Sequence, residues 1–141
     1  MSGVGGAMSI EKSSKRINSA KDLHVYQKAY ALAMRIFETS KEWPMEERYS
    51  LIDQIRRSSR SVCTNLREAW AKRRYKAHFI SKLTDADGEN GETDTWLNFA
   101  KDCQYVSKEQ HDDLVSECNS IGAMLGKMLN NPDPFLIKHA G

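Results

Sequence analysis

Phe79, Leu83, Ala86, Asn90, Thr93, Leu97 and Ala100 recur by alternating steps of four and three, straight through a segment, "TDADGENGETDTW", that carries Gly88, Asn90 and Gly91. That step puts one face of a helix inward. Two other readings compete with it. A calcium loop starting at Asp85 needs glycine at its sixth position and glutamate at its twelfth; the chain offers Asn90 and Trp96. A turn between two shorter helices would use the glycines, each of which costs ~1 kcal/mol relative to alanine in a helix interior, but a loop has no reason to keep the step. One helix is therefore expected from about Lys76 to Tyr105. Its glycines would sit where another backbone comes close, and Asn90 and Thr93 would make polar contacts in the seam.

The rest of the chain reads the same way. Asp22 is placed to cap a helix with two apolar stripes, Leu23, Tyr26, Tyr30, Ala33, Phe37 and Val25, Ala29, Leu32, Ile36, so burial on two sides is expected before Pro44 ends it. A second helix is expected from about Met45 to Arg74, with Ile52, Ile55, Ser59, Val62, Leu66 and Ala69 inward. Ser107 caps a last helix, Lys108 to Asn130, with Leu114, Cys118, Ile121, Leu125 and Met128 inward. Strand signals are poor. Four such helices on short connections give an all-α, antiparallel up-down-up-down four-helix bundle over residues 22–131. Residues 1–21, beginning with the Gly-rich "MSGVGGA", read as a flexible tail or leader. Residues 132–141 form a C-terminal tail whose Phe135 and Leu136 dock either on the bundle or on a neighbour.

A chain of 141 residues carrying a formal charge of +2 fits one globular domain and does not by bulk charge announce a nucleic-acid binder. Cys63, Cys103 and Cys118 form no C-x-x-C pair; they read as small core residues in a reducing, cytoplasmic protein. No run of ~20 apolar residues exists, so no membrane partner is expected.

"QIRRSSRSVCTNLREA", Gln54 to Ala69, and "LTDADGENGETDTWLNFAKDCQYVS", Leu83 to Ser107, resemble the bacterial four-helix-bundle family of intervening-sequence proteins, first found encoded in insertions of large-subunit ribosomal RNA genes. The resemblance rests on Gln54, Ile55, Arg56, Arg57, Ser61, Asn65 and Glu68, then Ala86, Gly88, Glu92 and Leu97, and spans Leu23 to Leu129. The fold also looks like that of the accessory variability proteins of diversity-generating retroelements, which partner a reverse transcriptase. What the resemblance implies is a homopentamer. Ala69 stands where the family usually has glycine, and Asp87 and Glu89 where it commonly has arginine and serine; these acids count against a nucleic-acid contact by the third helix.

Charge is unevenly spread. From Met45 to Lys76 nine basic residues face four acids, whereas from Ala77 to Cys118 three face ten. Arg56, Arg60, Arg67 and Arg74, spaced four, seven and seven, fall on one side of a continuous second helix, and the arginine fork suits phosphate. With Lys72, Arg73 and Lys76 they are the candidate contacts to RNA or single-stranded DNA. The competing reading pairs these cations with the acids of the third helix. Trp70, Tyr75, His78 and Phe79 lie among them, either as base-stacking residues or as core and interface anchors. Arg57, Asn65, Glu68 and Glu92 are expected to form a polar network fixing how the helices meet. No Glu has a His three residues on and no nucleophile has a His beside it in sequence, so neither a di-iron site, another metal or cofactor, nor catalysis is expected. The reading is a non-enzymatic, ring-forming, nucleic-acid-associated accessory or scaffold; the alternative is a protein-binding adaptor docking on an enzyme such as a reverse transcriptase.

Overall fold

The computed structural model describes residues 16–138. They contain four helices and no strand: α1 (His24–Ser40), α2 (Leu51–Ala71), α3 (Lys76–Asp102) and α4 (Lys108–Asn130), with single 3-10 turns at Ala20–Asp22, Met45–Glu47 and Asp133–Phe135. Each helix packs on the next, and α1 packs on α4, closing a four-helix bundle. Cross-contacts give the directions. Along α2, Ser58 and Asn65 meet Thr93 and Lys82 of α3. Along α3, Asn90 and Asn98 meet Cys118 and His111 of α4. Along α1, Lys28 and Arg35 meet Glu117 and Asp113 of α4. In every pair one number rises as the other falls, as antiparallel neighbours require.

The seven stepped positions of α3 are its seven buried residues. Asn90 and Thr93 make the polar contacts expected of them: Asn90 Nδ2 donates to the Cys118 carbonyl at 2.9 Å, and Thr93 Oγ1 lies 2.8 Å from Ser58 Oγ. The glycines behave otherwise. A Cβ built at Gly88 or Gly91 meets nothing within 4 Å, so no backbone approaches there. Of the helical glycines, Gly122 of α4 has a neighbour: its Cβ position is 3.5 Å from the Asn90 side-chain Nδ2, an ordinary contact. α3 also stops earlier than Tyr105. Gln104 takes a left-handed conformation (φ 68°), and the Gln104 and Tyr105 amides return to the Lys101 and Ala100 carbonyls at 2.9 and 2.8 Å. This is a Schellman stop made without glycine.

Other boundaries move for equally local reasons. Asp22 does not cap α1. Its carboxylate accepts from the Asn18 and Ser19 amides and closes a capping box over the preceding turn, which buries Ala20, so ordered packing begins before residue 22. On α1 only the stripe Val25, Ala29, Leu32 and Ile36 is fully inside; in the other, Leu23 and Ala33 are buried, Tyr26 and Phe37 half-buried and Tyr30 exposed. α1 ends at Ser40, ahead of Pro44. α2 begins at Leu51 rather than Met45, because Glu47 Oε1 accepts from Ser50 Oγ and the Leu51 amide, at 2.6 and 3.3 Å, and starts the helix there. α2 ends at Ala71, where the Trp70 carbonyl accepts from the Arg73 amide at 3.3 Å and from Arg73 Nη1 at 2.8 Å. The C-terminal segment docks on its own bundle: the rings of Phe135 and Phe79 are 6.2 Å apart and the Ile137 amide donates to the Arg73 carbonyl. Cys63 and Cys118 are buried, and burial pushes their thiols up to about 11 and about 12; Cys103, expected in the core, is exposed. The expected leader, Met1 to Ala7, lies outside the described residues.

Candidate nucleic-acid interface

The inward step of α2 leaves its other side to solvent, and on that side an open groove of about 560 Å³ runs along the helix and the turn before it. Arg48, Tyr49, Asp53, Arg56, Arg57 and Arg60 line it, with Ser61 and Thr64 toward the far end. Three of its four guanidiniums form no ion pair among the described residues and Asp53 is its one carboxylate, so it carries net positive charge.

Each arginine is held differently. Arg56 donates through Nε to Ser40 Oγ at 2.8 Å and through Nη2 to the Phe37 carbonyl at 3.3 Å, and its guanidinium sits 4.7 Å from the Phe37 ring centre. These acceptors are neutral, so its charge is positioned but not cancelled. Arg60 lies over the same ring at 5.7 Å, and Arg48 lies 5.8 Å from the ring centre of Tyr49. Arg57 is the exception: it pairs with Glu89 and Glu92 of α3, and these acids raise its pKa above the ordinary value, the hydrogen bond it donates to Glu89 foremost. Pairing of the basic helix with the acids of α3 thus happens at Arg57 and not at Arg48, Arg56 or Arg60.

The other sequence candidates lie off this groove. Arg67 is exposed on α2 and makes no ion pair among the described residues. Arg74 follows the end of α2, so the seven-residue spacing that aligned it with Arg67 does not carry over; Lys72 and Arg73 are in the same turn. Arg73 stacks on Trp70 at 3.9 Å, and Lys76 pairs with Asp133 at 3.4 Å. Phe79 is buried and Trp70 is covered on one face by Arg73, so both are anchors. Tyr75 and His78 remain exposed, ring edge to ring face at 5.6 Å.

The expected polar network exists as two. Arg57 with Glu89 and Glu92 forms one. Asn65 and Glu68 do not join it: they converge on Lys82 of α3, at 3.3 and 2.7 Å, with Asp85 at 3.5 Å. The Lys82 hydrogen bond holds the Glu68 carboxyl below its ordinary range, and Lys82 is raised in turn. Lys82 and Glu89 were missed because charged residues at the edge of a helix interface carry no periodic mark. Arg48 and Tyr49 were missed because they precede α2, where helical spacing says nothing. Among the described residues no three His, Cys, Asp or Glu side chains gather into a group able to hold a metal, and no helix is long and apolar enough to cross a membrane.

Comparison with known proteins places this architecture. No curated protein matches the chain significantly. A crystal structure of a protein with unknown function from the S23 ribosomal protein family of Bacteroides thetaiotaomicron is similar, with a TM-score of 0.70 and 30% sequence identity over 76% of this chain and 96% of that one. The model of the 23S rRNA-intervening sequence proteins matches residues 21–127, which take in α1 to α3 and nearly all of α4. The chain belongs to the family of 23S rRNA-intervening sequence proteins.

Proposed function

We propose that this protein is a non-enzymatic accessory that holds nucleic acid against the arginine groove of α2 and works as a cytoplasmic ring-shaped homo-oligomer, pentameric as the resemblance implies, beside a partner such as a reverse transcriptase. The observation that carries the nucleic-acid reading is that Arg48, Arg56 and Arg60 line one groove and, among the described residues, form no ion pair, whereas Arg57 beside them does. Unpaired guanidiniums in a concave surface are what phosphate recognition uses. A ring would repeat the groove once per subunit, and affinity would rise with the number of phosphates engaged. The family names, which refer to ribosomal RNA and to a ribosomal protein, supply a compatible context.

The test is binding of a fluorescent single-stranded RNA across a salt series, with Arg48→Glu/Arg60→Glu in parallel and light scattering on both proteins. The expected outcome is salt-sensitive binding that the variant weakens by about tenfold or more, with a shallower salt slope. Absence of binding at low salt by the folded wild type overturns the reading in favour of the adaptor. A monomer mass overturns the ring.

A further inference from the structure

Tyr49 is 84% exposed, the most open of the large apolar side chains among the described residues, and it forms part of the groove wall. An aromatic ring left this open has no packing role to explain it. Its neighbours are chemically specific: the Arg48 guanidinium is 5.8 Å from its ring centre, and Arg56 stands two turns along, already oriented by Ser40 and the Phe37 carbonyl. Arg56 spends Nε and one Nη2 hydrogen bond on those acceptors; the Nη1 donors have no partner among the described residues, and a guanidinium has five N–H groups to give. A ring flanked by guanidiniums can take a base on its face while the adjoining phosphates meet the arginines. Only an unpaired base can do this, because in a duplex the faces of the bases are already stacked.

We infer that the groove of α2 is a single-strand site in which Tyr49 is the base-stacking platform and Arg48, Arg56 and Arg60 track the phosphates. This rests on the nucleic-acid reading above and narrows it from nucleic acid in general to an unpaired strand. From Ile52 to Thr64 the groove follows ~18 Å of α2 at the helical rise, with Arg48 and Tyr49 before it, room for a short run of nucleotides. Asp53 is the one carboxylate in it; it opposes phosphate of any kind and so separates charge from stacking.

The experiment is competition against a labelled single strand by four ligands: the unlabelled strand, its duplex with the complement, an abasic strand of equal length, and inorganic polyphosphate. The base-bearing single strand should bind about tenfold more tightly than the other three, as one stacked base provides. Tyr49→Ala should remove that advantage and leave abasic binding unchanged, with Tyr49→Phe retaining it. Asp53→Asn should tighten all four ligands alike. Equal binding of base-bearing and abasic strands, or a Tyr49→Ala protein that binds like wild type, overturns the single-strand inference and leaves a phosphate site standing. Binding of none of the four overturns both this inference and the reading beneath it. Circular dichroism of each variant verifies the fold, which an 84% exposed side chain should not disturb.

Discussion

Ser58 and Thr93 are fully inside the protein, and their hydroxyls lie 2.8 Å apart across the α2–α3 contact. Thr93 Oγ1 also donates to the Glu89 carbonyl at 3.0 Å, whereas Ser58 Oγ has only the distant Ile55 carbonyl at 3.4 Å. A hydroxyl has one proton, so Thr93 spends its own on Glu89 and Ser58 donates to Thr93. The two deletions are therefore unequal. Thr93→Val leaves the buried Ser58 donor only the long bond to the Ile55 carbonyl and should cost about 1–3 kcal/mol, while Ser58→Ala leaves Thr93 bonded and should cost about 1 kcal/mol. The double variant should cost less than the sum. Urea unfolding of the three proteins measures this, and strict additivity would show that the two groups do not act as a pair.

α3 shows how a helix can be held by its neighbours against its own composition. Gly88 and Gly91 are exposed and face open space, so alanine at either position fits and should raise stability by about 0.5–1 kcal/mol, read as a higher denaturant midpoint. Loss of stability in either variant would mean that the glycines are needed for contact. The extent of α3 was legible in its step, since a buried face must repeat every three or four residues whatever lies on the other side. Its end was not, because the left-handed turn falls on Gln104 instead of glycine. The start of α2 was hidden likewise: Glu47 looks like an ordinary first-turn acid and serves instead as a cap from outside. At its other end α2 stops at Ala71, which is why the arginine stripe drawn through Arg74 stops short. The purpose of the glycines was misread, since periodicity locates a face without saying whether it is covered.

One contact joins two chain connections at the same end of the bundle. Tyr105 Oη donates to Glu47 Oε2 at 2.7 Å, linking the α3–α4 connection to the α1–α2 connection beside the packed rings of Trp43 and Tyr105. The bonds from Ser50 and Tyr105 lower the Glu47 carboxyl from its ordinary value of 4.5, and the bond to Glu47 pushes Tyr105 up to about 12. A lowered carboxylate contributes stability fully above pH 4.5 that is lost as pH falls through the folded value, and a raised phenol contributes below pH 10 what is lost as pH climbs toward 12. Glu47→Gln should therefore flatten the acid limb of a stability-against-pH curve; an unchanged limb would remove Glu47 as its source. The open flank of α3 bears on how the chain reaches this bundle at all. A segment with two glycines at its centre nucleates poorly alone, so an excised peptide should stay coil in water. Its winding must then wait for the α2 surface, which would make the docking of these two segments the slow, shared step of folding.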